Sequence, residues 1–102
     1  MNRPPYRIEY SVDAREHLLN FTARQSTTIL DAVVRQLRYE PTTATRNRKL
    51  LRANNVAPWE LRIGTLRVYY DVEDAPERIV TVRAVGIKDR DRVIIGGEEK
   101  KL

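Results

Sequence analysis

From Trp59 to Val72, apolar and polar residues alternate almost without a break. Trp59, Leu61 and Ile63 interleave with Glu60 and Arg62; Leu66, Val68 and Tyr70 interleave with Arg67 and Tyr69. A period of two marks half-buried strands, and a two-residue link containing glycine marks a tight hairpin. With Gly64-Thr65 as that link, Ile63 pairs with Leu66, Arg62 stands opposite Arg67, and Glu60 faces Tyr69. Trp59, Leu61, Ile63, Leu66, Val68 and Tyr70 then take the core-facing side.

The pattern elsewhere predicts the remaining elements. Tyr6 to Tyr10 alternates as a first strand. Ser11 is an N-cap, with Asp13 in the first turn of a short helix whose stripe is Ala14, Leu18 and Phe21 or Thr22, ending near Ala23-Arg24. His17 lies off that stripe and reads as a surface histidine. Thr28 and Asp31 predict the start of a second helix, with Leu30, Val33, Val34 and Leu37 as its buried face and Pro41 as its stop. Two helices so closely joined should pack antiparallel. A long connection over 42–58 should be pinned to the core by Leu50 and Leu51. After the hairpin and an acidic turn at Glu73 to Glu77, the β-branched run from Ile79 to Val85 predicts a central strand. Gly86 should end its alternation, leaving Ile87 to Arg92 as a charged exit. Val93-Ile94-Ile95 is a short apolar run, strand or helix. The expected fold is α+β and two-layered: an antiparallel sheet of about four strands, in the order β-α-α-β-β-β, with a helix pair on one face. Residues 1–95 should form a single domain and 96–102 a charged, mobile tail.

Composition narrows the chemistry. At 102 residues one domain is expected. The absence of cysteine excludes disulfides and thiolate sites, and a lone histidine argues against histidine-based metal or nucleophilic chemistry. No metal or organic cofactor is expected. With no membrane-length apolar stretch, and a polar start carrying Pro4-Pro5 rather than a signal peptide, a cytoplasmic location is expected. The net charge of +5 is localised: Arg46, Arg48, Lys49, Arg52, Arg62 and Arg67 face a single acid, Glu60, between positions 46 and 67, while the rest of the chain is neutral. Such a field attracts nucleic acid or an acidic protein; a solvated loop is the other reading. Facing arginines repel unless an anion lies between them. A phosphate matches guanidinium geometry, whereas two solvated arginines on an exposed face need no ligand. With Tyr69 and Glu60 beside them, the arginines would make that sheet face a surface for RNA.

The run Trp59 to Val72, followed by Val82-Arg83-Ala84-Val85-Gly86-Ile87-Lys88-Asp89-Arg90, resembles the RelE/ParE superfamily of bacterial toxin–antitoxin toxins, and the resemblance extends from Tyr6 to about Val93. It implies a toxin with a cognate antitoxin as partner. RelE-like members act on the ribosome and cut messenger RNA through attack of the ribose 2′-hydroxyl on the adjacent phosphate; ParE-like members poison DNA gyrase instead. On the first branch the resemblance implies that Arg67, Arg62 and Lys88 are the catalytic cations. Arg46, Arg48, Lys49, Arg52, Tyr69 and Arg90 would be RNA contacts. Two positions depart from the pattern. Glu60 stands where RelE-like toxins can carry lysine, and would be either a general base for the 2′-hydroxyl or a neutraliser of its arginine neighbours. Ile94 falls near the family's C-terminal tyrosine. The alternatives are a non-enzymatic inhibitor of gyrase or another protein, and a small RNA-binding domain unrelated to toxicity.

Overall fold

The Gly64-Thr65 hairpin forms in the expected register, and the rest of the sheet is built outward from it. In the computed structural model, which describes residues 3–102, the order is β1 (Arg7–Tyr10), α1 (Val12–Leu19), α2 (Ala23–Leu37), β2 (Arg48–Leu50), β3 (Trp59–Ile63), β4 (Leu66–Glu73), β5 (Ile79–Asp89), β6 (Arg92–Ile95) and β7 (Glu98–Lys100). Ile63 pairs with Leu66, Arg62 with Arg67 and Glu60 with Tyr69. Gly64 adopts φ 59°, a conformation open to glycine at little cost, as the first central position of a type II′ turn requires.

The α+β class holds, but the sheet has seven strands rather than about four, in the order β2-β3-β4-β5-β6-β7. β1 lies parallel to β5, on the edge of β5 that β6 also uses: β1 pairs with Ile79 to Val82, β6 with Gly86 to Asp89. Both helices cover one face. Ala14, Ile29, Val33 and Leu37 join Leu61, Val68, Tyr70, Val80, Val82 and Val85 in the main core, with Leu18 and Phe21 against its margin.

The helix boundaries differ from expectation. α1 stops at Leu19, and α2 begins at Ala23 rather than near Thr28. Its capping box is Thr22 with Gln25: Gln25 N–H donates to Thr22 Oγ1 at 3.1 Å, and Thr22 N–H to Gln25 Oε1 at 2.9 Å. Thr28 and Asp31 therefore lie inside the helix. The longer helix also turns its stripe, burying Ile29, Ala32, Val33 and Leu37 while Leu30 and Val34 are exposed. Leu50 is exposed too, and Leu51 packs on the other face of the sheet. The far end of α2 is anchored by polar contacts. Tyr70 donates to the Pro41 carbonyl at 2.6 Å, and Arg48 reaches the Gln36 carbonyl and side chain and the Thr43 carbonyl, each at 2.9 Å.

β5 does not end at Gly86 but continues to Asp89, and its register slips opposite Tyr69 and Tyr70, leaving Arg83 as the extra residue of a β-bulge. The bulge resets the alternation. Before it Val80 and Val82 face the helices; after it Val85 does, and Ala84, Gly86 and Lys88 face away. The edge left open between β1 and β6 is closed by side chains: Ser11 Oγ donates to the Arg83 carbonyl, and Val85 N–H donates to His17 Nδ1 at 3.2 Å. His17 is thus half-buried and bonded to the sheet rather than a surface histidine. The expected mobile tail is also partly structured, since β7 pairs with β6 across Gly96-Gly97.

Gly86 sits under β6 so closely that an added Cβ would lie 2.6 Å from the Ile94 carbonyl oxygen and 2.8 Å from Ile95 Cγ1. Gly86→Ala is expected to force β6 outward and cost about 1–3 kcal/mol, read from the urea midpoint. An unchanged midpoint would contradict the close approach.

Candidate functional site

Residues paired across strands share a face. On the side away from the helices the registers therefore lay out three rows: Lys49, Glu60, Tyr69 and Ala84; Arg62, Arg67, Gly86, Ile95 and Glu98; Lys88, Val93 and Lys100. This face is not bare. Ala57, Tyr69, Ala84 and Ile95 form a second, smaller core, with Leu51, Val56, Val93 and Leu102 half-buried against it.

Next to that core lies an open cleft of about 410 Å³. Among its lining residues are Arg62, Arg67 and Lys88, the cations the resemblance implied for catalysis, and Glu60, the position that departs from the family pattern. Asp91, Val93 and the C-terminal Lys100, Lys101 and Leu102 complete it. Lys100 and Lys101 escaped sequence reasoning because the segment was read as a tail. The signal was present: a Gly-Gly link between Val93-Ile94-Ile95 and Glu98-Glu99-Lys100 is a hairpin signature. Asp91, in the β5–β6 turn, is a second carboxylate at the cleft besides Glu60.

Glu60 organises the group. It is 5% exposed, and both its oxygens are engaged: Oε1 accepts from Arg62 Nε at 2.8 Å and Oε2 from the Tyr69 hydroxyl at 2.9 Å. A buried carboxylate without partners would be costly, so two donors, one of them charged, are what permit it here. Burial pushes the Tyr69 phenol well above its ordinary value, and the charge and hydrogen bond of Glu60 push the same way, so Tyr69 stays a donor. Arg67 is 7% exposed; its Nη1 donates to the carbonyls of Gly64 and Leu66 at 2.6 and 2.9 Å, bracing the turn. Arg67 lies on the expected face, but buried rather than solvated. Its Nε and Nη2, the two Nη atoms of Arg62, and Lys88 Nζ make no hydrogen bond within the described residues. Arg62, Arg67 and Lys88 thus line one cleft with donors to spare, a donor set suited to an oxyanion.

The RNA contacts expected from sequence do not gather there. Tyr69 has no exposed surface and offers no ring for a base to stack on. Arg48 is 8% exposed and on the opposite face, because it pairs with Leu61, a core position. Lys49 shares the cleft's face, beside Glu60, but does not line the cleft. Arg46, Arg52 and Arg90 are exposed outside it, Arg90 in the turn after β5 with φ 62°.

No family model matches the chain, and no curated protein matches it. Among solved structures, a chain of the toxin–antitoxin complex RelBE2 from Mycobacterium tuberculosis is similar, with a TM-score of 0.66 and 24% identity over 82% of this chain and 99% of that one. The likeness shows the fold, and at that level it agrees with the resemblance read from the sequence.

Removing the phenol in Tyr69→Phe leaves Glu60 Oε2 without its donor and should cost about 1–3 kcal/mol at neutral pH. The pH response carries a second signature. Because the folded-state pKa of Tyr69 is raised, the unfolded chain ionises first, near 10. The stability from burying the neutral phenol is complete below that pH and is lost as pH rises. Tyr10, pushed up to about 12 by burial, and Tyr70 act in the same sense. Denaturation between neutral pH and pH ~11 should therefore show a shallower alkaline decline for Tyr69→Phe than for wild type. Equal slopes would mean that the phenol is not held neutral in the fold.

Proposed function

We propose that this chain is a RelE/ParE-type toxin of a toxin–antitoxin module, and that it acts as a ribosome-dependent endoribonuclease that cleaves messenger RNA and inhibits translation. The observation that carries the reading is the meeting of Arg62, Arg67 and Lys88 around buried Glu60 in one cleft. A fold shared with a chain of a toxin–antitoxin complex supports the first half of it.

The chemistry is phosphoryl transfer without metal or histidine. The scissile phosphate lies between Arg62, Arg67 and Lys88. A guanidinium stays protonated in proteins and does not act as a base, so the role of both arginines is electrostatic. The 2′-hydroxyl loses its proton to Glu60, which keeps a lone pair on each oxygen beyond those Arg62 and Tyr69 occupy. O2′ bonds to phosphorus, the P–O5′ bond breaks, and the departing oxygen takes a proton from solvent. Fixed cations stabilise the added charge of the pentavalent state without reorganising. Arg46, Lys49 and Arg52, exposed around β2, provide charge for docking on ribosomal RNA. A cognate antitoxin would quench the cleft with acidic side chains. A toxin of this kind works in the cytoplasm; no described helix is long and apolar enough to cross a membrane.

A translation reaction programmed with one defined messenger tests this, with cleavage mapped by primer extension. Arg67→Ala confounds chemistry with the hairpin it braces, so Lys88→Gln, exposed and with no side-chain partner among the described residues, is the cleaner variant. Wild type should cut only in the presence of ribosomes, and Lys88→Gln should lower the rate about a hundredfold without changing thermal stability. An intact message with the wild type would point instead to a protein target such as gyrase.

A further inference from the structure

We infer that Lys100, carried by the C-terminal β6–β7 hairpin, is an additional phosphate-binding residue of the cleft, and that Glu98 holds it in check until a ligand arrives. The inference rests on the functional reading above and extends it to a segment outside the resemblance.

Register places it there. Lys88 pairs with Val93 and Val93 with Lys100, so all three project from one face, and Lys88 and Lys100 flank Val93 as two walls of the same cleft. The hairpin is held in position from beneath, because Ile95 and Leu102 pack into the second core with Tyr69 and Ala84. Lys100 is thus fixed on a strand rather than carried on a loose end. It also borders a neighbouring cavity of about 450 Å³ that includes His17, Asn55 and Arg83, so a strand of RNA leaving the cleft in that direction passes its ammonium group.

Lys100 does not stand unopposed. Its Nζ lies 3.4 Å from Glu98 Oε2, two residues back on the same face. The Glu98 side chain is 74% exposed, and an ion pair so open to water is weak and easily exchanged for a phosphate. Glu99 provides an internal control: one residue along, it points to the other face, where it pairs with Arg92 at 3.4 Å.

The test is binding of a short, fluorescein-labelled single-stranded RNA with 2′-O-methyl riboses, which cannot be cleaved, followed by anisotropy across a salt series. Lys100→Gln should weaken binding and lower the slope of log K against log salt by about 0.7, the share of one phosphate contact. Glu98→Gln should tighten binding, while Glu99→Gln, which removes the same charge from the other face, should not. Lys88→Gln separates this inference from the functional reading. If Lys88→Gln lowers the slope and Lys100→Gln does not, the cleft binds phosphate without Lys100 and the inference falls alone. If neither substitution alters binding, the phosphate reading of the cleft falls with it. Equal tightening by Glu98→Gln and Glu99→Gln would reduce the effect to net charge and overturn the role of Glu98.

Discussion

The pairing of Ile63 with Leu66 across Gly64-Thr65 sorts every side chain of β3 and β4 onto one face or the other, and the candidate site follows from that sorting. A slip of one residue would send Leu61, Val68 and Tyr70 to the outer face and carry Glu60, Arg62 and Arg67 into the helix-covered core. β5 alone would not have kept the arrangement. Without the bulge at Arg83, Lys88 would share parity with Val80 and Val82 and point at the helices. The bulge moves it beside Arg67, so a single extra residue brings the third cation to the cleft.

Burial gives the site its character. Glu60 holds Arg62 by an ion pair, Arg67 is held by the Gly64 and Leu66 carbonyls, and the second small core buries the Tyr69 that fixes Glu60. Charges held this way need little rearrangement when a phosphate arrives, which is the condition for strong electrostatic stabilisation. The same burial gives Glu60 a structural role beside the one proposed for it in the reaction. It is the joint between Arg62 and Tyr69, and through Tyr69 it couples the cleft to the packing of Ala84 and Ile95.

Much of this was legible in the sequence because it is local. Alternation predicts the hairpin and its register, a β-branched, apolar-rich run predicts the central strand, and helical spacing finds both helices. What escaped depends on neighbours distant along the chain. β2 is three residues long and reads as part of a basic loop; only its pairing with β3 makes it a strand and turns Arg48 toward α2. Tyr69 is polar-facing by parity, yet the loop before β3 and the C-terminal hairpin bury it, and no period records that. The stripe of α2 was misplaced because Thr28 and Asp31 imitate a helix start, while the operative cap, Thr22 with Gln25, lies six residues earlier. The bulge is not announced either, because Thr81 and Arg83 keep one parity and the change of face falls after Arg83, at the apolar Ala84 and Val85.

The central claim is that one phosphate sits between Arg62, Arg67 and Lys88. Its most direct test is an NMR titration of the arginine Nε–Hε resonances with a 2′-O-methyl dinucleotide. The account predicts saturable shifts for Arg62 and Arg67, none for Arg7 or Arg24, and loss of the response in Lys88→Gln. Shifts spread evenly over the exposed arginines, or confined to Arg46 and Arg52, would contradict it.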